Sequence, residues 1–378
     1  IYLAPKEIEL DGLVVEEKVD KTKIETLATR QKSISISDAD QSKIGNLLEK
    51  MSGVSTLQTG SNVVKPLIHG LHSNRVLIVN NGVRHAYQAW GREHAPEIDP
   101  GAIDQLTLVK GAATVRYGPE AIGGVILMDP ERPEFDSSLK GLVGTTLESN
   151  GRSAALQTHL SQGYHRLAWN AGITTRKQGD LHSPDYQLTN TGSDELGFHA
   201  HGLWHRPKFD LSLYASHFEQ ELGILRGSVV GNIQDLSVAM NTEPPQDTRP
   251  FSYEIRTPRQ ETVHDLYKIK GSVFLADHEV NLQYALQRNQ RREYDIRRGT
   301  NNQRPSIDLD MLTHTFDGEW SYPSNKWKGL VGLQATYKDN NNNPGTNTIP
   351  FVPNYNVLNL GIYTMQSTSW NQSQFEVG

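Results

Sequence analysis

The chain contains no cysteine. A disulfide framework, a thiolate metal site and a cysteine nucleophile are therefore excluded. Basic residues are not in excess either: 37 Lys and Arg stand against 43 Asp and Glu, a formal charge of -6. A general nucleic-acid binder needs the opposite balance. No apolar run approaches the ~20 residues that a membrane helix requires. Membrane β-barrels stay open to consideration, because their strands alternate between lipid and lumen. No signal peptide is visible in the sequence from Ile1 onward, and an upstream piece is expected. What is present is 378 residues, 36% of them hydrophobic. Length alone suggests two or three soluble domains.

The first 135 residues read as a small mixed module. Leu10-Asp11-Gly12-Leu13-Val14-Val15 is a short apolar stretch in charged surroundings. It reads either as a lone edge strand or flexible lead-in, or as an extended segment held out for strand addition by a partner. Ser37 to Gln41 can cap a helix whose buried face is Ile44, Leu47, Leu48 and Met51, with Gly53 ending it. Strands are expected at Val54 to Leu57, Pro66 to Leu71, Arg75 to Val79 and Gln105 to Gly111. Asn80-Asn81-Gly82-Val83 supplies a turn, and Ile98 to Ile103 a short helical element. Gly118 to Gly124 is no nucleotide loop. It fits neither G-x-G-x-x-G nor G-x-x-x-x-G-K-[ST] and runs into a strand.

From Leu139 the period changes to two. One face carries Val143 and Leu147, then Trp169 and Ile173, Phe198 and Trp204, Leu211 and Leu213, Leu282 and Tyr284, Phe316 and Trp320, Leu333 and Tyr337. The opposite face carries Asn170, His199, His201, Gln283, Glu319 and Gln334, too polar for a packed core. Segments run to about 10 residues, longer than strands of soluble sheets. Aromatics such as Trp204, Tyr322 and Trp327 sit near strand ends, as in an interfacial girdle. Tight turns alternate with long polar excursions near 176–193, 220–265, 291–308 and 339–356. That parity is the turn-and-loop asymmetry of outer-membrane barrels.

These residues carry a resemblance. Val109-Lys110-Gly111-Ala112-Ala113-Thr114-Val115-Arg116-Tyr117-Gly118, followed by Ala121-Ile122-Gly123-Gly124-Val125-Ile126, resembles the plug signature of TonB-dependent outer-membrane receptors. Ile68-His69-Gly70 is similar to that family's "I-R-G" strand, with His69 where Arg is common. Val76 to Val83 is similar to its "V-L-x-D-G-V" turn, with Asn81 where Asp is usual. Leu10 to Val15 resembles the lead-in near its partner-binding box, with Gly12 where Glu is common.

The resemblance implies a transmembrane β-barrel of 22 antiparallel strands, preceded by a small α+β plug domain. About 10–11 strands fit in this chain, so a partial barrel is expected. The implied division is a periplasmic segment at 1–36, a plug at 37–135 and the first half of the barrel at 136–378, with both natural ends outside the sequence. It implies a monomeric transporter rather than an enzyme, without catalytic residues or a resident cofactor. Its partners would be a TonB-type inner-membrane complex, outer-membrane lipid and a metal chelate or cofactor ligand, and not nucleic acid. Its place would be the outer membrane of a Gram-negative bacterium.

The cargo expected is an iron chelate, siderophore or haem, imported at the expense of the proton gradient. Another metal such as zinc, or cobalamin, is the alternative, and a non-energised pore or adhesin a further one. By resemblance, Leu10, Asp11, Val14 and Val15 form the partner-binding segment. Arg75, Arg84, Arg116 and Glu120 are candidate plug–barrel contacts. Tyr87, Gln88, Trp90, Arg92, Glu93 and His94 are candidate ligand contacts at the plug apex, or else pack its loops. His199 and His201 share one strand face. They read either as polar lumen lining or as ligands of a metal, which would need convergent neutral imidazoles. Arg288, Arg291, Arg292, Arg297 and Arg298 form a locally basic stretch, read either as an attractor of anionic chelates or as an acid-paired loop.

Overall fold

The computed structural model describes residues 33–35, 44–59, 63–91, 94–228, 232–245, 247–296, 303–323, 327–370 and 373–378. Leu10 to Val15 and the expected cap at Ser37 to Gln41 lie outside them.

The N-terminal elements are β1 (Ser33–Ser35), α1 (Ile44–Glu49), β2 (Ser55–Thr59), β3 (Val63–Leu67), β4 (Leu77–Asn80), β5 (Val83–Arg84), β6 (Gln105–Val109) and β7 (Val125–Asp129). Five of the strands form a mixed sheet in the order β1-β6-β7-β4-β5, while β2 and β3 make a separate hairpin. The helix is short, and Leu47, Leu48 and Met51 bury its apolar stripe against Ile68, Ile78, Leu106, Ile126 and Met128. Among the described residues, this cluster draws on positions from Ile44 to Met128.

The turn between β4 and β5 is made by Asn81 and Gly82, both at positive φ (48° and 72°). Two positive φ values make the tight hairpin turn that matches strand twist. Gly82→Ala is expected to cost about 1–2 kcal/mol, because an L-residue is strained there. A denaturant midpoint that does not fall would contradict this.

The remaining strands are β8 (Lys140–Glu148), β9 (Ser153–Gly163), β10 (Leu167–Gln178), the loop hairpin β11 (Leu181–His182) and β12 (Gln187–Leu188), β13 (Ser193–Arg206), β14 (Phe209–Gly223), β15 (Arg259–Leu275), β16 (His278–Tyr294), β17 (Ile307–Pro323), β18 (Trp327–Asn342), β19 (Tyr355–Trp370) and β20 (Ser373–Val377). All but the loop hairpin join one 11-stranded antiparallel meander, β8-β9-β10-β13-β14-β15-β16-β17-β18-β19-β20. This sheet is the barrel wall, and it curves around the N-terminal module. A second helix, α2 (Ile233–Met240), lies in the long connection between β14 and β15.

The wall inverts the burial of a soluble sheet. Val143, Ile173, Phe198, Leu213, Leu282, Phe316 and Leu333 are exposed on its outer face. Asn170, His199, Gln287, Asn289, Thr313 and Thr315 are buried on the inner one. Water would penalise the outer face, whereas hydrocarbon satisfies it.

Several strands are longer than the sequence pattern suggested: β15, β16 and β17 have 17 residues each. At ~3.3 Å per residue such a strand reaches ~56 Å, well past a hydrocarbon core of ~30 Å even when tilted. The extra length rises at the long-loop end, where outer positions turn from apolar to charged and pair across strands. Arg288 meets Asp310 at 2.9 Å, Arg292 lies 3.7 Å from both Glu261 and Asp308, and Arg259 meets Glu221 at 3.1 Å. This corrects one sequence reading. Arg288, Arg291 and Arg292 belong to β16 and are matched by carboxylates, so they are no free basic loop. Arg297 and Arg298 lie outside the described residues.

Candidate functional site

Among the described residues, two polar zones join the N-terminal module to the wall, beside apolar contacts of Met365 with Leu77 and of Leu266 with Val83. One is an apex, residues 85–99, beside the long-loop ends of β16 and β18. The other is a seam near the short-turn ends of β17 and β18.

At the apex, β3 sends buried Lys65 to the carbonyl oxygen of Gly91. A Cβ on Gly91 would lie 2.5 Å from His94 Nε2, so glycine is what lets the ring approach. The His94 ring packs edge-on against Trp90 at 4.4 Å, and one ring nitrogen meets the carbonyl oxygen of Gln88. Trp90 Nε1 donates to Gln88 Oε1 at 2.9 Å, and Gln88 Nε2 donates to Asn340 Oδ1 of β18 at 2.6 Å. His94 Nε2 lies 2.8 Å from Glu293 of β16. Gln88 and His94 are thus buried and engaged, while Tyr87 and Trp90 keep partly open surfaces. Trp90 also faces Phe351 of the loop after β18, at 5.4 Å between ring centres. Arg92 and Glu93 lie outside the described residues.

Beneath this layer is a buried ion pair. The Arg291 guanidinium is 2.5 Å from Glu97, and both side chains are 2% exposed. Arg291 also donates to Gln260 Oε1 at 3.0 Å and lies 3.4 Å from Glu293, and Asn289 donates to Glu97. Nothing in the sequence reading joined Glu97 to Arg291. The usable signal was the period-two run Gln287, Asn289, Arg291, Glu293, which continues the inner face of β16.

Beside the pair, His85 packs on His264 of the wall at 4.4 Å. Burial first, and His264 second, holds the His85 imidazole well below its ordinary value, so it is neutral at pH 7. Burial and then Glu97 push the Tyr87 phenol up, so it stays protonated.

Asp99 closes the apex. Its carboxylate accepts from Gly101 N at 2.9 Å. Burial raises its carboxyl from 3.8 to about 6; Glu195 adds to this, while the Gly101 N–H, Thr174 and Arg176 oppose it. The sign follows from linkage. Below about pH 4 the folded and unfolded states both hold the proton. Above about pH 6 the folded state carries a charge that it holds poorly. Stability is therefore lost as pH rises from about 4 to 6 and stays lower beyond, by up to roughly 3 kcal/mol. Asp99→Asn keeps an acceptor for Gly101 and removes the charge. It should raise the unfolding midpoint at pH 7–8 and leave it unchanged near pH 4. Equal effects at both pH values would refute the assignment.

At the seam, Arg116 reaches Glu319 of β17 at 2.6 Å. Tyr363 donates its hydroxyl to the same carboxylate at 2.5 Å, and Gln334 donates to the Arg116 carbonyl at 3.1 Å. Arg84 and Glu120 pair with each other at 2.7 Å inside the module, while the Arg84 carbonyl accepts from Gln287 Nε2 of β16 at 2.9 Å. Arg75 is exposed, and its carbonyl accepts from Gly123 N at 2.7 Å. The β4–β5 turn is gripped from the wall as well. Lys268 Nζ donates to Asn81 O and Oδ1, each at 2.6 Å, and Gln283 donates to Gly82 O at 3.0 Å. A polar cavity of about 140 Å³ lies between these groups, bordered by Arg84, Arg116, Asp129, Lys270 and Asp317.

His199 and His201 are buried on the inner face of β13. His201 Nε2 is 3.0 Å from Ser212 Oγ, and the His199 ring stacks 5.8 Å from His159. Among the described residues, no group of three or more His, Asp or Glu side chains is arranged to hold a metal ion.

Comparison with known proteins decides the family. Residues 22–125 match the TonB-dependent Receptor Plug Domain. Residues 22–125 belong to the TonB-dependent receptor plug family. The module is the plug of such a receptor, and the 11 strands are barrel wall.

Over 102 residues this chain is 32% identical to the vitamin B12 transporter BtuB of Vibrio cholerae serotype O1, a match spanning 26% of this chain and 16% of that protein. BtuB of Photobacterium profundum is 31% identical over 91 residues, 24% of this chain and 15% of that protein. Among solved structures, the siderophore receptor PirA from Acinetobacter baumannii superposes with a TM-score of 0.69 at 14% identity, over 91% of this chain and 56% of that one. The ferric-catecholate import receptor Fiu from E. coli K12 gives 0.69 at 15% identity, over 93% and 59%. The copper transporter OprC gives 0.55 at 15% identity, over 90% and 60%. At such identities the structures speak for the fold. The receptor chain spans a little over half the length of these solved proteins.

Proposed function

We propose that this chain belongs to an outer-membrane importer of a scarce iron chelate, siderophore or haem, in a Gram-negative bacterium. The observation that carries the reading is the family-matched plug seated in an apolar-out wall, joined to it by a buried ion pair and a polar seam. Residues 37–135 act as the plug and 136–378 as wall. Leu10, Asp11, Val14 and Val15, in the segment outside the described residues, act as the handle for a TonB-type inner-membrane complex. Pulling on it would detach the plug along contacts that water can replace.

Tyr87 and Trp90 of the apex, with Phe351 above, form the ligand-facing surface; an aromatic or macrocyclic chelate suits such rings. Gln88 and His94 position that surface from beneath. Arg92 and Glu93 remain proposed contacts on sequence grounds. His199 and His201 line the lumen. The chain works by binding and movement and has no catalytic step.

A second reading is import of cobalamin, favoured by the 32% identity to vitamin B12 transporters, although that stretch is the plug. Uptake of labelled ferric siderophores, haem and cobalamin by cells expressing the receptor separates the two. Accumulation of a ferric complex that stops when the proton gradient is collapsed is expected. Gradient-dependent uptake of cobalamin alone would transfer the reading to the second cargo. Flux that ignores the gradient would sink the transporter reading altogether.

A further inference from the structure

The outer face of the wall is not uniformly bulky. Across β10, β13, β14 and β15 it sinks into a groove of about 560 Å³. Register explains the dip. Ala171 stands opposite Ala200, which stands opposite Ala215, which stands opposite Tyr267. In the next row Trp169 stands opposite Gly202. Three alanines and one glycine thus make a floor between the Trp169 and Tyr267 banks. A Cβ on Gly202 would meet nothing within 4 Å, so the floor is open there.

One end of the groove leads to a charged rim. Trp204, two residues from Gly202, has the Arg206 guanidinium over its ring at 5.0 Å. Arg166 and Lys208 are exposed in the two adjoining short turns, whose backbones bond through His205 N to Arg166 O at 2.9 Å. Among the described residues none of these three cations has a carboxylate in ion-pair range. The rim carboxylates are engaged by histidines instead: Asp136 lies 3.6 Å from His165, and Asp210 lies 2.6 Å from His205.

We infer that this groove and rim hold one anionic glycerophospholipid, its acyl chain on the Gly202 floor and its phosphate at Arg166, Arg206 and Lys208. The inference rests on the reading of the wall as membrane-inserted. Four residues separate Gly202 from Arg206, ~13 Å at strand rise, which sets the cations at headgroup level and the floor at acyl level. Trp204 marks the boundary, where an amphipathic ring belongs. A groove of this size with apolar walls, and with cations beyond one end, fits a lipid-like ligand. The three cations decide the occupant. They attract an anionic headgroup, whereas a second copy of the chain would bring like charge to like charge.

The test is native mass spectrometry of the detergent-purified chain after exposure to phosphatidylglycerol vesicles. The chain should keep one phosphatidylglycerol after the micelle is stripped. Gly202→Leu fills the groove without touching backbone and should lower retention several-fold. So should Arg206→Gln combined with Lys208→Gln. Gly361→Leu, at another open glycine on β19, should change nothing. Absence of retained lipid in the parent, or equal loss from Gly361→Leu, would overturn the inference. A dimer that Gly202→Leu disperses would reassign the groove to a second copy. Membrane fractionation is run beside it. A chain absent from the membrane fraction defeats the insertion reading, and an inserted chain without lipid defeats this inference alone.

Discussion

Arg291→Ala is expected to unseat the plug apex, with a loss of about 3–5 kcal/mol. The cost does not come mainly from the attraction that is removed. It comes from Glu97, left charged in a place 2% exposed to water. Glu97→Ala should cost less, because the guanidinium keeps the Glu293 carboxylate at 3.4 Å and Gln260 Oε1 at 3.0 Å. Replacing both, Glu97→Gln with Arg291→Met, removes both charges and should recover most of the loss, since buried pairs often replace neutrally. The natural readout is hydrogen exchange or protease cleavage within residues 85–99, because a barrel can stay folded while its plug loosens. Single variants as protected as the parent would mean that the pair does not hold the apex.

Leu282→Arg is expected to cost about 2–4 kcal/mol in lipid vesicles, where an arginine on the outer face must sit in hydrocarbon. Leu282 is 51% exposed, so a water-soluble sheet would tolerate the change within about 0.5 kcal/mol. The two media therefore give different magnitudes for one substitution. Glu219→Arg provides the depth control, because its outer position on β14 lies above the apolar band and should move stability by no more than about 1 kcal/mol. Denaturant titration of the chain folded into vesicles measures both. Equal effects at the two positions would argue that no hydrocarbon surrounds the wall.

Much of this fold was legible because two periods are hard to confuse. Leu47, Leu48 and Met51 at helical spacing gave α1, and Asn81-Gly82 gave a two-residue turn. Alternation from Leu139 gave the wall with its outer and inner faces in the right sense. Strand length was misjudged for one reason. Above the membrane band a strand needs no apolar outer face, so alternation of hydrophobicity fades while the hydrogen-bond ladder continues. Arg288 and Arg292 then look like loop residues, although their partners Asp310, Asp308 and Glu261 stand on neighbouring strands.

The apex was only half legible. Gln88, Trp90 and His94 do come together, but sequence cannot tell a side chain that faces a cavity from one that supports its neighbour. Gln88 is committed to Asn340, 252 residues away, and no local pattern predicts such a contact. The Arg84 and Glu120 pair shows the converse. Both were sought at the wall; their side chains pair with each other, and it is the Arg84 carbonyl that meets the wall, at Gln287.

The closed core of the plug has a mechanical consequence. Among the described residues the main apolar cluster contains no wall residue; wall side chains reach the plug through hydrogen bonds and two smaller apolar contacts, Met365 against Leu77 and Val125, and Leu266 and Ala285 against Val83. Each such bond exchanges with water at a net cost of only about 0.5–1.5 kcal/mol. A load applied at one end would meet these bonds one after another. The highest barrier is then set by the strongest local cluster, the charged layer at the apex. A pull on one end would break such a joint bond by bond, whereas a load shared across it would meet all the bonds together, which is how a fastener differs from a weld.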